Sequence, residues 1–183
     1  MTAGSAGPEF GLFVVASPAG DRILDRARAL FDVRRVYDLH WTPALAAQNY
    51  ARFYRQRPGA GANGALERLL LVTAVDSTTG HAKFREATQE FRSWTPGPAS
   101  VHGSTTPAEA ARDLLLLLGT DPRTHLTENP RPWDGRIAEL QRDLSGARGW
   151  TSPTELFHAL NHTVPYVVLP WTLAGPCVEE RNS

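Results

Sequence analysis

Three residues in the stretch "SVHGSTTPAEAARDL" (Ser100–Leu114) have the types and spacing for group-transfer chemistry: His102, Ser104 and Thr105. A neutral imidazole is a good nucleophile towards phosphorus near pH 7, because its pKa lies close to ambient. His102 sits just before a helix that announces its own start. Thr106-Pro107-Ala108-Glu109 is a capping box with proline at the first helical position, and Gly119 supplies the stop. A phosphorylated His102 would gain from the unpaired N–H groups and dipole of such a helix start. Ser104 and Thr105 add hydroxyl donors, and Asp113 follows about two turns into the helix. The plain alternative for His102 is a satisfied polar residue at a strand end.

The preceding chain supplies the elements that must hold this segment. "FGLFVVA" (residues 10–16) reads as a buried strand ended by a "SPAGD" turn. Residues 21–31 place Ile23, Leu24, Ala27, Leu30 and Phe31 at helical spacing. "VRRVYDLH" (33–40) is a second strand, after which Thr42-Pro43 is expected to cap and open a helix that ends before Pro58. "PGAGANG" (58–64) is a loop. Because it precedes a strand, it does not read as a phosphate cradle. "LERLLLVTAVD" (66–76) is the clearest strand, and "TTGHAKFREATQEF" is a helix. "SVHGS" is a short strand before the capped helix.

This β-α-β-α-β-α-β-α order predicts an α/β (α+β) fold. The expectation is a ferredoxin-like split βαβ sandwich with an antiparallel four-stranded sheet, extended by one helix. A Rossmann-type parallel sheet competes, but no G-x-G-x-x-G follows the first strand. Residues 1–9 read as a flexible leader, 10–119 as the main domain and 120–183 as a C-terminal extension, a largely helical appendage. Within the extension, "TDPRTHLTENPRPWDG" reads as a linker or surface loop and Arg136–Leu144 as a short amphipathic helix. Ser152-Pro153-Thr154-Glu155 repeats the capping box, and "VPYVVL" follows as a strand.

Composition narrows the function classes. With 19 basic and 19 acidic residues the chain carries no global field for nucleic acid or anionic membranes. No apolar run approaches the ~20 residues of a membrane span, so neither partner is expected. One cysteine, Cys177, excludes an internal disulfide framework and fits a reducing, cytoplasmic setting. His158 and His162 stand four apart on a helix, a candidate metal pair without an evident third ligand. The five tryptophans are scattered, and Trp133, Trp150 and Trp171 read as anchors of the extension.

Over residues 10–119 the chain resembles nucleoside diphosphate kinases. His102-Gly103-Ser104 matches the H-G-S of the family's N-x-x-H-G-S-D/E-S segment, and Asp113 stands eleven residues on, where the family has a glutamate. "LFVVASPAGDRILDRARALF" is similar to the family's first strand, K-P-D-G turn and first helix. "NYARFYRQRP" is similar to its tyrosine-containing helix and the R-P that follows. The resemblance implies ping-pong transfer of a terminal phosphoryl group from a nucleoside triphosphate, with His102 as nucleophile, Asp113 orienting its ring and Ser104 beside them. It implies phosphate binding by Arg57 and, on a looser alignment, by Arg85 and Arg92, with Ser17 and Gly103 lining the phosphate site. Mg²⁺ would arrive on the nucleotide rather than on protein ligands, and a homo-oligomer is implied as well.

The chain departs from the family pattern at named positions. Ser17 replaces the family's lysine, and Lys83 is the sole lysine, so a substitute cation must be an arginine such as Arg22. Ala99 replaces an asparagine and Gly59 a base-stacking aromatic. Stripped of these ligands, the same fold would instead be a nucleotide-binding or protein-interaction module. A phosphohistidine discharged to water would make it a phosphohydrolase.

Overall fold

The computed structural model describes residues 8–16, 19–42, 44–54, 68–76, 81–95, 100–146 and 149–163. Its elements run β1 (Glu9–Val15), α1 (Gly20–Leu30), β2 (Asp32–His40), α2 (Ala46–Tyr54), β3 (Arg68–Asp76), α3 (His81–Arg92) and β4 (Val101–Gly103). They continue through α4 (Pro107–Leu118), α5 (Pro122–Glu128), β5 (Ile137–Gln141) and α6 (Pro153–Thr163). The strands form one sheet in the order β4-β1-β3-β2-β5. β1 is antiparallel to both β3 and β4, and β2 is antiparallel to β3.

Alternation along each strand divides the core between the two faces of the sheet. Leu12 and Val14 face the same side as Leu69 and Leu71, where Phe53 of α2 and Ala110, Leu114 and Leu117 of α4 cover them. Phe13 and Val15 face the opposite side, against Ile23 and Ala27 of α1 and Phe84 and Phe91 of α3. Burial on both faces is why β1 reads as an unbroken apolar run. Each such side chain removed from water contributes roughly 1.5–3 kcal/mol. Gly11 has no room for a side chain, because a Cβ there would overlap the Phe84 ring.

The sheet corrects the expected four antiparallel strands: a fifth, β5, pairs parallel to β2 from Val36↔Ile137 to His40↔Gln141. This strand lies in Arg136–Leu144, which apolar spacing assigned to a helix. Ile137, Leu140 and Leu144 do fit a helical period. The segment is extended nonetheless, because it lies along the outer edge of β2 and supplies that edge with backbone partners. The extension is therefore no purely helical appendage.

The expected linker before β5 also contains a helix. Asp121 caps α5 by accepting from the N–H groups of Arg123 (2.9 Å) and Thr124 (3.0 Å), with Pro122 opening the first turn. α5 brings His125 over a bulge in β2 between Val33 and Arg35. There the Thr73 hydroxyl accepts from Arg35 N–H at 3.1 Å and lies 3.1 Å from His125 Nε2.

Thr42 does not cap α2. Its hydroxyl donates to Asp143, and the helix begins at Ala46. No helix among the described residues is long and apolar enough to cross a membrane. The "VPYVVL" run lies outside the described residues.

Candidate functional site

β4 is three residues long and lies at the sheet margin, so its placement depends on what flanks it. Ala16 N–H donates to Ser100 O (2.8 Å), and Ser104 N–H donates to Leu12 O (3.1 Å), extending the ladder at both ends. The Ser104 hydroxyl, wholly buried, accepts from Leu12 N–H at 3.1 Å. Gly103 packs against α3 so closely that a Cβ would overlap Thr88 Oγ1. His102 pairs with Val14 and so points to the face covered by α2 and α4.

α4 starts as its sequence requires. Thr106 Oγ1 accepts from Glu109 N–H at 3.1 Å, and Gly119 closes the helix in the left-handed conformation with φ of 70°. The glutamate of the box reaches one residue further back than usual. Its carboxylate accepts from Thr105 N–H (2.8 Å) and Thr105 Oγ1–H (2.6 Å). α6 repeats this with Glu155 and Thr151, at 2.9 and 2.6 Å.

Asp113 falls on the buried stripe of α4 between Ala110, Leu114 and Leu117 and has no solvent exposure. A carboxylate in such a place must be paired. Its Oδ2 lies 2.6 Å from His102 Nε2, and its Oδ1 accepts from Arg112 Nε at 2.8 Å and from Arg112 Nη2. An ionised carboxylate only accepts, so His102 donates through Nε2–H. The neutral ring then carries its lone pair on Nδ1. Phe53 of α2 meets the imidazole edge-to-face, with ring centroids 4.9 Å apart. The His102 side chain keeps 15% of its surface exposed.

Glu109 adds a second carboxylate, with Arg112 Nη2 3.6 Å from its Oε1. Partial burial raises its pKa, but the two Thr105 hydrogen bonds, His102 and Arg112 outweigh this and leave it below the ordinary glutamate value. His102, Glu109 and Asp113 each offer a ligand atom within 4.8 Å of the others. The set does not fit Mg²⁺, which demands oxygen ligands in octahedral array. One donor is an imidazole, and both Asp113 oxygens already serve His102 and Arg112.

The remaining expected residues fall as follows. Arg85 Nη1 donates to Thr105 O (3.3 Å) and Arg92 Nε to Val101 O (2.9 Å), so both brace the histidine segment through backbone carbonyls. Arg22 lies over the Trp94 ring at 4.0 Å. Arg57, Ser17, Gly59, Ala99, Trp171 and Cys177 lie outside the described residues, as do the side chains of His158 and His162. Sequence reasoning passed over Glu109 and Arg112 as neighbours of the histidine, although their i, i+3 spacing on one helix was a readable signal. Phe53 left no such signal.

No protein-family model matches the chain, and no curated protein matches it either.

Proposed function

We propose that this protein is a divergent nucleoside diphosphate kinase-like phosphotransferase using a phosphohistidine at His102. The observation that carries the reading is the 2.6 Å contact between His102 Nε2 and the buried Asp113 carboxylate. The arrangement of β1–β4 with their helices supports it, since the β4-β1-β3-β2 order is that of a ferredoxin-like split βαβ sandwich.

In the first step, His102 Nδ1 attacks the terminal phosphorus of a nucleoside triphosphate. The N–P bond forms as the bridging P–O bond breaks, and that electron pair leaves on the nucleoside diphosphate. Asp113 keeps the Nε2 proton in place and stabilises the positive charge that develops on the ring, while Arg112 holds the carboxylate. An acceptor diphosphate then takes the phosphoryl group by the reverse sequence. Mg²⁺ belongs to the substrate in this scheme, carried on the nucleotide phosphates. Arg57 and Ser17 are the proposed phosphate contacts, in a cytoplasmic enzyme that works as a homo-oligomer.

Incubation with γ-labelled ATP and Mg²⁺ tests this. An acid-labile phosphoprotein is expected, absent in His102→Gln and slowed about 10²-fold in Asp113→Asn through misplacement of the ring. No label on the unsubstituted protein overturns the reading. One observation favours a second reading, a nucleotide-binding or protein-interaction module without catalysis: Arg85 and Arg92, two of the expected phosphate ligands, are engaged by backbone carbonyls. Calorimetric binding of ADP or GDP without labelling would mark it.

A further inference from the structure

We infer that Asp143, in the C-terminal extension, is a positioning residue for His102, because the segment from Arg142 to Ser145 clasps α2 to α4. Its bearing on phosphotransfer rests on the function proposed above; the clasp itself does not. The segment continues directly from β5, where Arg142 N–H donates to His40 O at 3.1 Å. On one side it grips α4. Arg142 Nη1 donates to Leu118 O (2.8 Å), and Ser145 N–H donates to Leu116 O (2.7 Å). These are last-turn carbonyls of α4, which the helix itself leaves without partners. On the other side it grips α2 and its approach. Asp143 Oδ1 accepts from Thr42 Oγ1–H at 2.5 Å and from Asn49 Nδ2–H at 3.3 Å.

The two gripped helices are those that bracket the imidazole. Asn49 and Phe53 are four apart and share one face of α2, and Phe53 meets the His102 ring. Asp113 of α4 takes the ring nitrogen. α2 has only nine residues, too few to be stable without packing. Asn49 has no solvent exposure, and among the described residues its Oδ1 has no hydrogen-bond partner, so its amide is anchored there through the Asp143 bond. Removing the acceptor leaves a buried amide unpaired and favours states in which α2 has lifted from the ring.

The test uses the full chain and needs no turnover. Diethyl pyrocarbonate acylates accessible neutral imidazoles, and peptide mass spectrometry gives the rate at each histidine. Asp143→Ala should accelerate modification of His102 about tenfold, the factor expected for loss of a buried hydrogen-bond partner. Asp143→Asn keeps an acceptor oxygen and should stay close to the unsubstituted rate. His125, buried under α5, should not respond. An unchanged His102 rate in Asp143→Ala overturns the inference, as does equal acceleration of His102 and His125, which would mean general loosening. If Asp143→Ala fails to fold, Thr42→Val removes one of the donors described above, and a smaller acceleration selective for His102 is then required. A chain that never takes up label but passes this test retains the clasp and loses only the kinase reading.

Discussion

Lowering the pH should destabilise this protein through one histidine outside the candidate site. His125 is buried between the sheet and α5, with 1% of its surface exposed. Burial first, and the Arg35 charge second, push its pKa down from 6.5 to about 4. Between those values the unfolded chain binds a proton that the folded chain refuses, so stability rises with pH across the interval. The contribution is fully present above pH 6.5 and is lost as pH falls towards 4. At pH 5 the two proton-binding equilibria differ by about 2 kcal/mol, approaching roughly 3 kcal/mol below pH 4. For a domain of this size, 2 kcal/mol lowers Tm by roughly 4–8 °C. Urea and thermal unfolding, followed by circular dichroism at pH 7 and pH 5, should be run on the protein and on His125→Gln. Glutamine cannot titrate, so the variant should lose about 2 kcal/mol less between the two pH values, whatever its absolute stability. Equal losses in both proteins would refute the reasoning, because carboxylates and other histidines titrate in both.

Two further substitutions probe the segment that carries His102. Gly103→Ala should destabilise the fold by roughly 1–3 kcal/mol, since the new Cβ collides with Thr88 Oγ1. Urea denaturation measures this, and adding Thr88→Ala should recover part of the loss. Thr106→Ala removes the N-cap of α4 and should cost about 1 kcal/mol in the same assay.

Much of this was legible in the chain. Local signals were sufficient where a single element decides its own conformation. The apolar run of β1 and the capping box and Gly119 of α4 lie where the residues indicated, while Asp113, singled out through the family resemblance, falls on α4. Asp113 was also readable as a carboxylate on an otherwise apolar stripe. The errors lie where a distant partner decides. Residues 137–141 have helical spacing but are drawn out along the free edge of β2, a partner just over a hundred residues away in the chain. Thr42 looks like a cap, yet its hydroxyl goes to Asp143. α5 is different, because Asp121-Pro122 is an ordinary helix start that the surrounding prolines concealed.

The guanidinium of Arg92 has a consequence for how this protein avoids its own kind. Along β4 the bonds to β1 are made by Ser100 and Ser104 on either side of the His102–Val14 pair. The peptide groups of Val101 and Gly103 therefore turn outward, away from the sheet. An outward row of that sort is a template on which a foreign strand can add. Arg92 Nε already occupies the Val101 carbonyl. A charged, hydrated side chain thus stands where an intruding strand would need to hydrogen-bond. The margin that carries the histidine is thereby guarded against aggregation along its edge.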